Sequence, residues 1–250
     1  MATVVLATEI AAWLDAELQA EKYRAEEPEN GLLVDAGRPV VRIASAVNTT
    51  FETIAAASAA GAGLLLVHHP SWPYIDLGLQ QRKLEALAAA GVSLYAAHAS
   101  LDCAEEGTGR ALARLVGVSP DGRFAEYQGG LAGVHGSFAG GWDRLVEVVR
   151  ERLGVTPEVH RNAETCERVG IVTGGGGMTG WLNEAHAAGC DTFLTGEGSM
   201  FTRVFAREMG INLILAGHVA TEAPGIHALR VRTASHFELP GVALSEALIG

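Results

Sequence analysis

Histidine and carboxylate recur at matching places along this chain, and both side chains are metal donors. The segment GVSLYAAHASLD sets His98 four residues before Asp102, and GINLILAGHVATE sets His218 four residues before Glu222. A third run, GLLLVHHP, delivers the adjacent pair His68 and His69. Each histidine closes a short apolar run that reads as a buried parallel strand, and sites in α/β proteins gather at the carboxyl ends of such strands. Imidazole and carboxylate donors converging from several strand ends suit a metal centre. Two histidine pairs with carboxylates exceed what one four-coordinate ion uses, and carboxylates can bridge two cations, so a dinuclear centre is expected. The mixed nitrogen and oxygen donors suit Zn, Mn, Fe or Ni and disfavour a calcium site.

Each element has a plainer reading. Asp102 can cap a helix while His98 merely packs, and the recurrence at His218 and Glu222 is what favours the metal. The glycine run at 174–177 lies between an expected strand and helix, where backbone N–H groups can cradle an anion. It lacks the Lys-Ser/Thr of a P-loop, so a tight turn of small residues competes with a substrate contact through Gly175 and Gly176. Glu197, in the TGE at the strand end matching the HHP turn, is a candidate for lining the same cavity or for capping a helix. No G-x-S-x-G occurs, which removes the nucleophile-elbow hydrolases. His135, His160, His186, His227 and His236 lack metal-like company and read as surface or packing residues. Trp72 and Tyr74, beside the HHP turn, read as packing of a loop or as a pocket wall.

The elements that must position these groups alternate between helix and strand. Helical spacing of Ile10, Trp13, Leu14 and Leu18 predicts a helix over 8–20, then a polar loop to Gly31. Strand and helix signals continue through 120, and they resume at 168 after a glycine-richer stretch with one helix near 142–153. A helix at 222–230 and a strand near 235–238 close the series. AAGAGLLLVHH at 59–69 parallels AAGCDTFLTGE at 187–197, and 91–102 parallels 210–222 with one inserted residue. The expectation is an α/β fold of two similar interlinked lobes from an internal duplication. Its segments are 1–120 as first lobe, 121–168 as a connecting or antiparallel portion, and 169–250 as second lobe.

Composition narrows the partners. The formal charge is −11 and lysine is confined to Lys22 and Lys83, so no basic run marks a nucleic-acid surface. Hydrophobic residues make up 48 % of the chain, as a folded globular protein needs. No uncharged stretch approaches the roughly 18 residues of a membrane span. The first residues lack a basic start, so they read as a helix rather than a signal peptide. Cys103, Cys166 and Cys190 are odd in number and form no C-x-x-C, which fits a reduced, cytoplasmic setting.

Together the motifs NGLLVD at 30–35, LLLVHHP at 64–70, HASLD at 98–102, the glycines after RVGIVT, TGE at 195–197 and GHVATE at 217–222 resemble the Nif-three-like family. These are dinuclear-metal hexameric proteins, also described as type 2 GTP cyclohydrolase I-like. The resemblance implies a short form without an inserted middle domain and a toroidal homo-hexamer with metals facing an inner cavity. It implies the ligands His68, His69, Asp102, His218 and Glu222 for two divalent ions, with His98 beside them in a supporting or proton-transfer role. The chain departs from the family pattern with Asn48 in place of an aspartate, HASLD in place of H-T-N-x-D, and no histidine after TGE. The expected activity is a metal-dependent hydrolase of a nucleotide or phosphoester, with His98 and Glu222 handling protons. The alternative is a non-enzymatic metal-binding ring that serves as a scaffold or binds a partner.

Overall fold

Why the histidines stand where they do follows from how the apolar runs pair. The computed structural model describes residues 4–246, in two units built on separate sheets: 4–104 with 226–246, and 105–225. In the first, helix α1 (Ala7–Leu18) precedes strands β1 (Gly31–Val34) and β2 (Ile43–Asn48). Helix α2 (Phe51–Ala59) leads to strand β3 (Leu64–His69), and helices α3 (Pro73–Asp76) and α4 (Gly78–Ala90) lead to β4 (Ser93–Ala96). Strands β2, β3 and β4 are parallel neighbours, and β1 pairs antiparallel with the outer edge of β4. Strands β2, β3 and β4 are buried along nearly their whole length, LLLV in β3 among them, because both sheet faces are covered. One short helical turn, α5 (Ala99–Asp102), follows β4 directly.

The second unit repeats the plan. Helix α6 (Thr108–Val116) is followed by the hairpin β5 (Ser119–Tyr127) and β6 (Gly130–Ser137), then helix α7 (Gly141–Leu153) and strand β7 (Glu158–His160). Strand β8 (Arg168–Ile171), helix α8 (Thr179–Ala187), strand β9 (Thr192–Thr195), helix α9 (Met200–Glu208) and strand β10 (Asn212–Leu215) then alternate. Strands β8, β9 and β10 are parallel neighbours, and β7 pairs antiparallel with β10 as β1 does with β4. The strand order is β5-β6-β8-β9-β10-β7, so the hairpin extends the far edge. Helix α10 (His218–His236) follows β10, and strand β11 (Gly241–Ala243) joins the first sheet parallel to β2.

These two units differ from the three segments expected from sequence. Residues 105–168 belong with the second unit, because β6 pairs with β8 and α6 packs on β6. Residues 226–246 return to the first. The final strand also differs. Residues 235 and 236 end α10, and the strand comes later, at Gly241–Ala243.

Candidate metal centre

In the first unit the candidates sit at adjacent strand ends. His68 and His69 both remain within β3, with His69 in register with Asn48 of β2, whereas pairing to β4 stops at Val67. The strand therefore includes both histidines of the HHP expected as a turn. Even so, the two rings approach with centroids 4.9 Å apart, and His98 stands 4.9 Å from His68 and 5.6 Å from His69. One ring nitrogen from each of the three lies within 4.8 Å of the others. His68 is fully buried, and its Nε2 is 3.5 Å from Asp102 Oδ1. The helical turn α5 brings Asp102 round to this cluster, as the four-residue spacing from His98 predicts. Trp72 closes one side, edge-on to His98 at 5.0 Å between centroids.

Every imidazole in this cluster is anchored through Nδ1. His68 Nδ1 donates to the Ala97 carbonyl at 2.7 Å, and His69 Nδ1 to Asn48 Oδ1 at 2.8 Å. The orientation of Asn48 is itself dictated, since its Nδ2 donates to Glu246 Oε1 at 2.9 Å, a carboxylate that also receives the backbone N–H groups of residues 47 and 48. His98 Nδ1 meets Glu27 at 2.9 and 3.0 Å. A histidine that gives its Nδ1 proton to a protein oxygen keeps the Nε2 lone pair for a cation, the arrangement found behind metal-bound histidines. The donor set fits a divalent metal.

In the second unit the corresponding strand ends supply His218, Glu222, Glu197 and the glycine run. His218 begins α10, and one turn later Glu222 places Oε1 3.1 Å from its Nε2. Glu197 Oε1 lies 3.2 Å from His218 Nδ1. Burial works against charge on His218, but the two carboxylates outweigh it and lift the imidazole to about 9. Gly174 is confined by this cluster. Its φ is +59°, and a Cβ there would fall 1.9 Å from Glu222 Oε1.

The glycines divide by role. A Cβ on Gly176 would meet Val172 and Thr195 under 3 Å, and one on Gly177 would meet the Glu197 carbonyl at 2.2 Å. Those two are small because the turn packs tightly. Gly175 has only His218 Cε1 near it, at 3.8 Å, and lines an open cavity of about 640 Å³ with Glu197, Thr179, Ser199 and Phe201. Gly175 and Glu197 thus share one cavity, while Gly176 backs onto the strands.

Sequence reasoning missed Glu27 and Glu246, gave Asn48 no partner, and named Asn30 only within the NGLLVD motif. Glu27 and Asn30 lie in the stretch expected to be a polar loop, yet both are buried. Their contacts to His98 span about 70 residues, which no local periodicity reports. Of the remaining histidines, His227 packs with its Nδ1 2.9 Å from Ser45 Oγ, and burial lowers it to about 4. His236 stacks on Trp13 at 4.6 Å, and His160 pairs with Glu158.

Known proteins share this plan over nearly the whole chain. A protein from Deinococcus radiodurans named GTP cyclohydrolase 1 type 2 homolog is 33 % identical, covering 93 % of this chain and 90 % of its own. A protein of the same name from Halobacterium salinarum is 37 % identical over 82 % and 85 %. Among solved structures, TTHA1606 from Thermus thermophilus matches with a TM-score of 0.81 and 30 % identity, covering 97 % of this chain and 98 % of that one. A structure described as protein ybgI, of unknown function, reaches a TM-score of 0.85 at 28 % identity, over 98 % and 100 %. The family described as Duf34/NIF3 (NGG1p interacting factor 3) matches residues 5–247. With its two-sheet α/β architecture, the chain belongs to the DUF34/NIF3 family.

Proposed function

We propose that the protein is a metal-dependent hydrolase acting on a nucleotide or another phosphoester. The observation that carries this reading is the anchoring of three neighbouring imidazoles through Nδ1, which leaves a nitrogen donor on each. His68, His69, Asp102, His218 and Glu222 would hold two divalent ions. Such ions supply Lewis acidity and a hydroxide at neutral pH. The chain's own residues do the rest. His98 takes or returns a proton at Nε2, Glu222 shares that task through its carboxylate, and Trp72 limits water around His98 and His69. Gly175 and Glu197 bound the substrate cavity, and the backbone N–H groups of the glycine run suit a phosphate.

The relatives' name supports a nucleotide substrate, while opening of a guanine ring has no support among these residues. A homo-hexamer in the cytoplasm without membrane or nucleic-acid partners completes the proposal. Among the described residues no helix is long and apolar enough to cross a membrane.

The test begins with metal analysis of protein purified without added metal. The metal-loaded protein is then assayed on GTP and generic phosphoesters beside His98→Ala and Glu222→Ala. Turnover lost in His98→Ala at unchanged metal content supports the hydrolase. No turnover of any substrate, with assembly that depends on metal, supports a ring scaffold instead.

A further inference from the structure

The polar cage behind His98 has a hydrogen-bond polarity that follows from groups with no choice of role. Two backbone N–H groups can only donate. That of His98 reaches Asn30 Oδ1 at 2.9 Å, and that of Ala99 reaches Glu27 Oε2 at 3.2 Å. The first contact fixes the Asn30 amide with its oxygen toward residue 98, where it also accepts from Ser100 Oγ at 3.1 Å. Asn30 Nδ2 must then point the other way, and it donates to Glu27 Oε2 at 2.9 Å. Glu27 is thereby the acceptor for two assigned donors, and its oxygens stand 2.9 and 3.0 Å from His98 Nδ1. Facing an acceptor, that nitrogen carries the proton.

We infer that Glu27 is a positioning residue that holds His98 in its Nδ1–H tautomer and keeps Nε2 as the acceptor nitrogen beside His68 and His69. The other tautomer would turn an N–H toward a cation site and leave the ring unable to accept a proton there. A carboxylate behind a histidine fixes tautomer and ring direction together, as in triad chemistry. His68 and His69 give their Nδ1 protons to neutral carbonyl oxygens, whereas His98 gives its own to a carboxylate.

The inference deepens the proton-handling role proposed for His98, yet its test requires no turnover. The metal-free full chain, labelled with ¹⁵N-histidine, is studied by solid-state NMR, and the His98 signals are assigned by their loss in His98→Ala. In the neutral ring the expected result is a proton on Nδ1 rather than on Nε2. Glu27→Gln preserves volume but replaces one acceptor oxygen with an amide donor, so three donors face a single oxygen. The Nε2–H form should then appear, and any hydrolysis should fall about 10–100-fold at wild-type metal content. Glu27→Asp is smaller but keeps both acceptors, and should retain the wild-type tautomer. A space-filling role for Glu27 predicts the reverse ranking of these variants. Wild-type His98 found as Nε2–H, or a tautomer indifferent to Glu27→Gln, overturns the inference. A wild-type protein without bound metal or turnover would instead sink the proposed function and leave the tautomer result standing.

Discussion

His69 depends on an amide and His98 on a carboxylate, and the difference sets what each substitution should do. Asn48→Ala removes the acceptor behind His69 and the donor toward Glu246 in one step. Partners of this kind are worth roughly 10–100-fold in metal affinity, so titration of the metal-free variant with Zn²⁺ should show that loss. Gly174→Ala is expected to weaken metal binding too, because the added methyl cannot coexist with Glu222 Oε1 where it stands. The same titration checks it, and unchanged affinity would mean that the Glu222 carboxylate moves aside without cost to the site. His218, lifted to about 9 by its two carboxylates, adds a pH dependence. Its raised value means that the charged pair stabilises the metal-free fold fully below about 6.5 and loses that contribution as pH climbs through about 9. Metal must displace that proton, so apparent affinity should rise with pH across the same window. Calorimetry in buffers of different ionisation enthalpy would register the released proton.

Among the elements, the parallel strands and the helices between them were legible because their signals are local. The alternation expected up to 120 and again from 168 is found, with helices at Gly78–Ala90, Thr179–Ala187 and Met200–Glu208 between the strands. The repeat between 59–69 and 187–197 reappears as β3 and β9, each flanked on both sides by parallel strands. What local pattern could not give is the wiring between distant segments. β1 begins where the expected loop ends, at Gly31, in a stretch given no element, since only its pairing to β4 makes it a strand. α10 was expected to span only 222–230, but it begins at His218 and continues past Pro224 to His236. Caps remain testable at this scale. Ser199 Oγ accepts from the Thr202 N–H at 3.2 Å while Thr202 Oγ1 accepts from the Ser199 N–H at 2.9 Å. Ser199→Ala should therefore cost about 1 kcal/mol, read as a shift of the denaturant midpoint at constant slope.

For the molecule as a whole, bound metal should act as a stabilising ligand. Chelation is expected to lower the melting temperature, and saturation at about 1,000 times the dissociation constant should restore roughly 4 kcal/mol. A calorimetric scan that moves on chelation of the wild type but not of a His68→Ala, His218→Ala double variant would tie the effect to these donors.

The thread that leaves the first sheet after β4 and rejoins it at β11 has a further consequence. Asn48 awaits Glu246, which lies 198 positions downstream. On a ribosome, the amino-terminal sheet must therefore linger without its closing strand, and with the His69 anchor unclasped, until the intervening unit has emerged from the exit tunnel. Metallation should accordingly be a late event in biogenesis, and nascent chains arrested before residue 241 should bind zinc poorly even when their early helices have already formed.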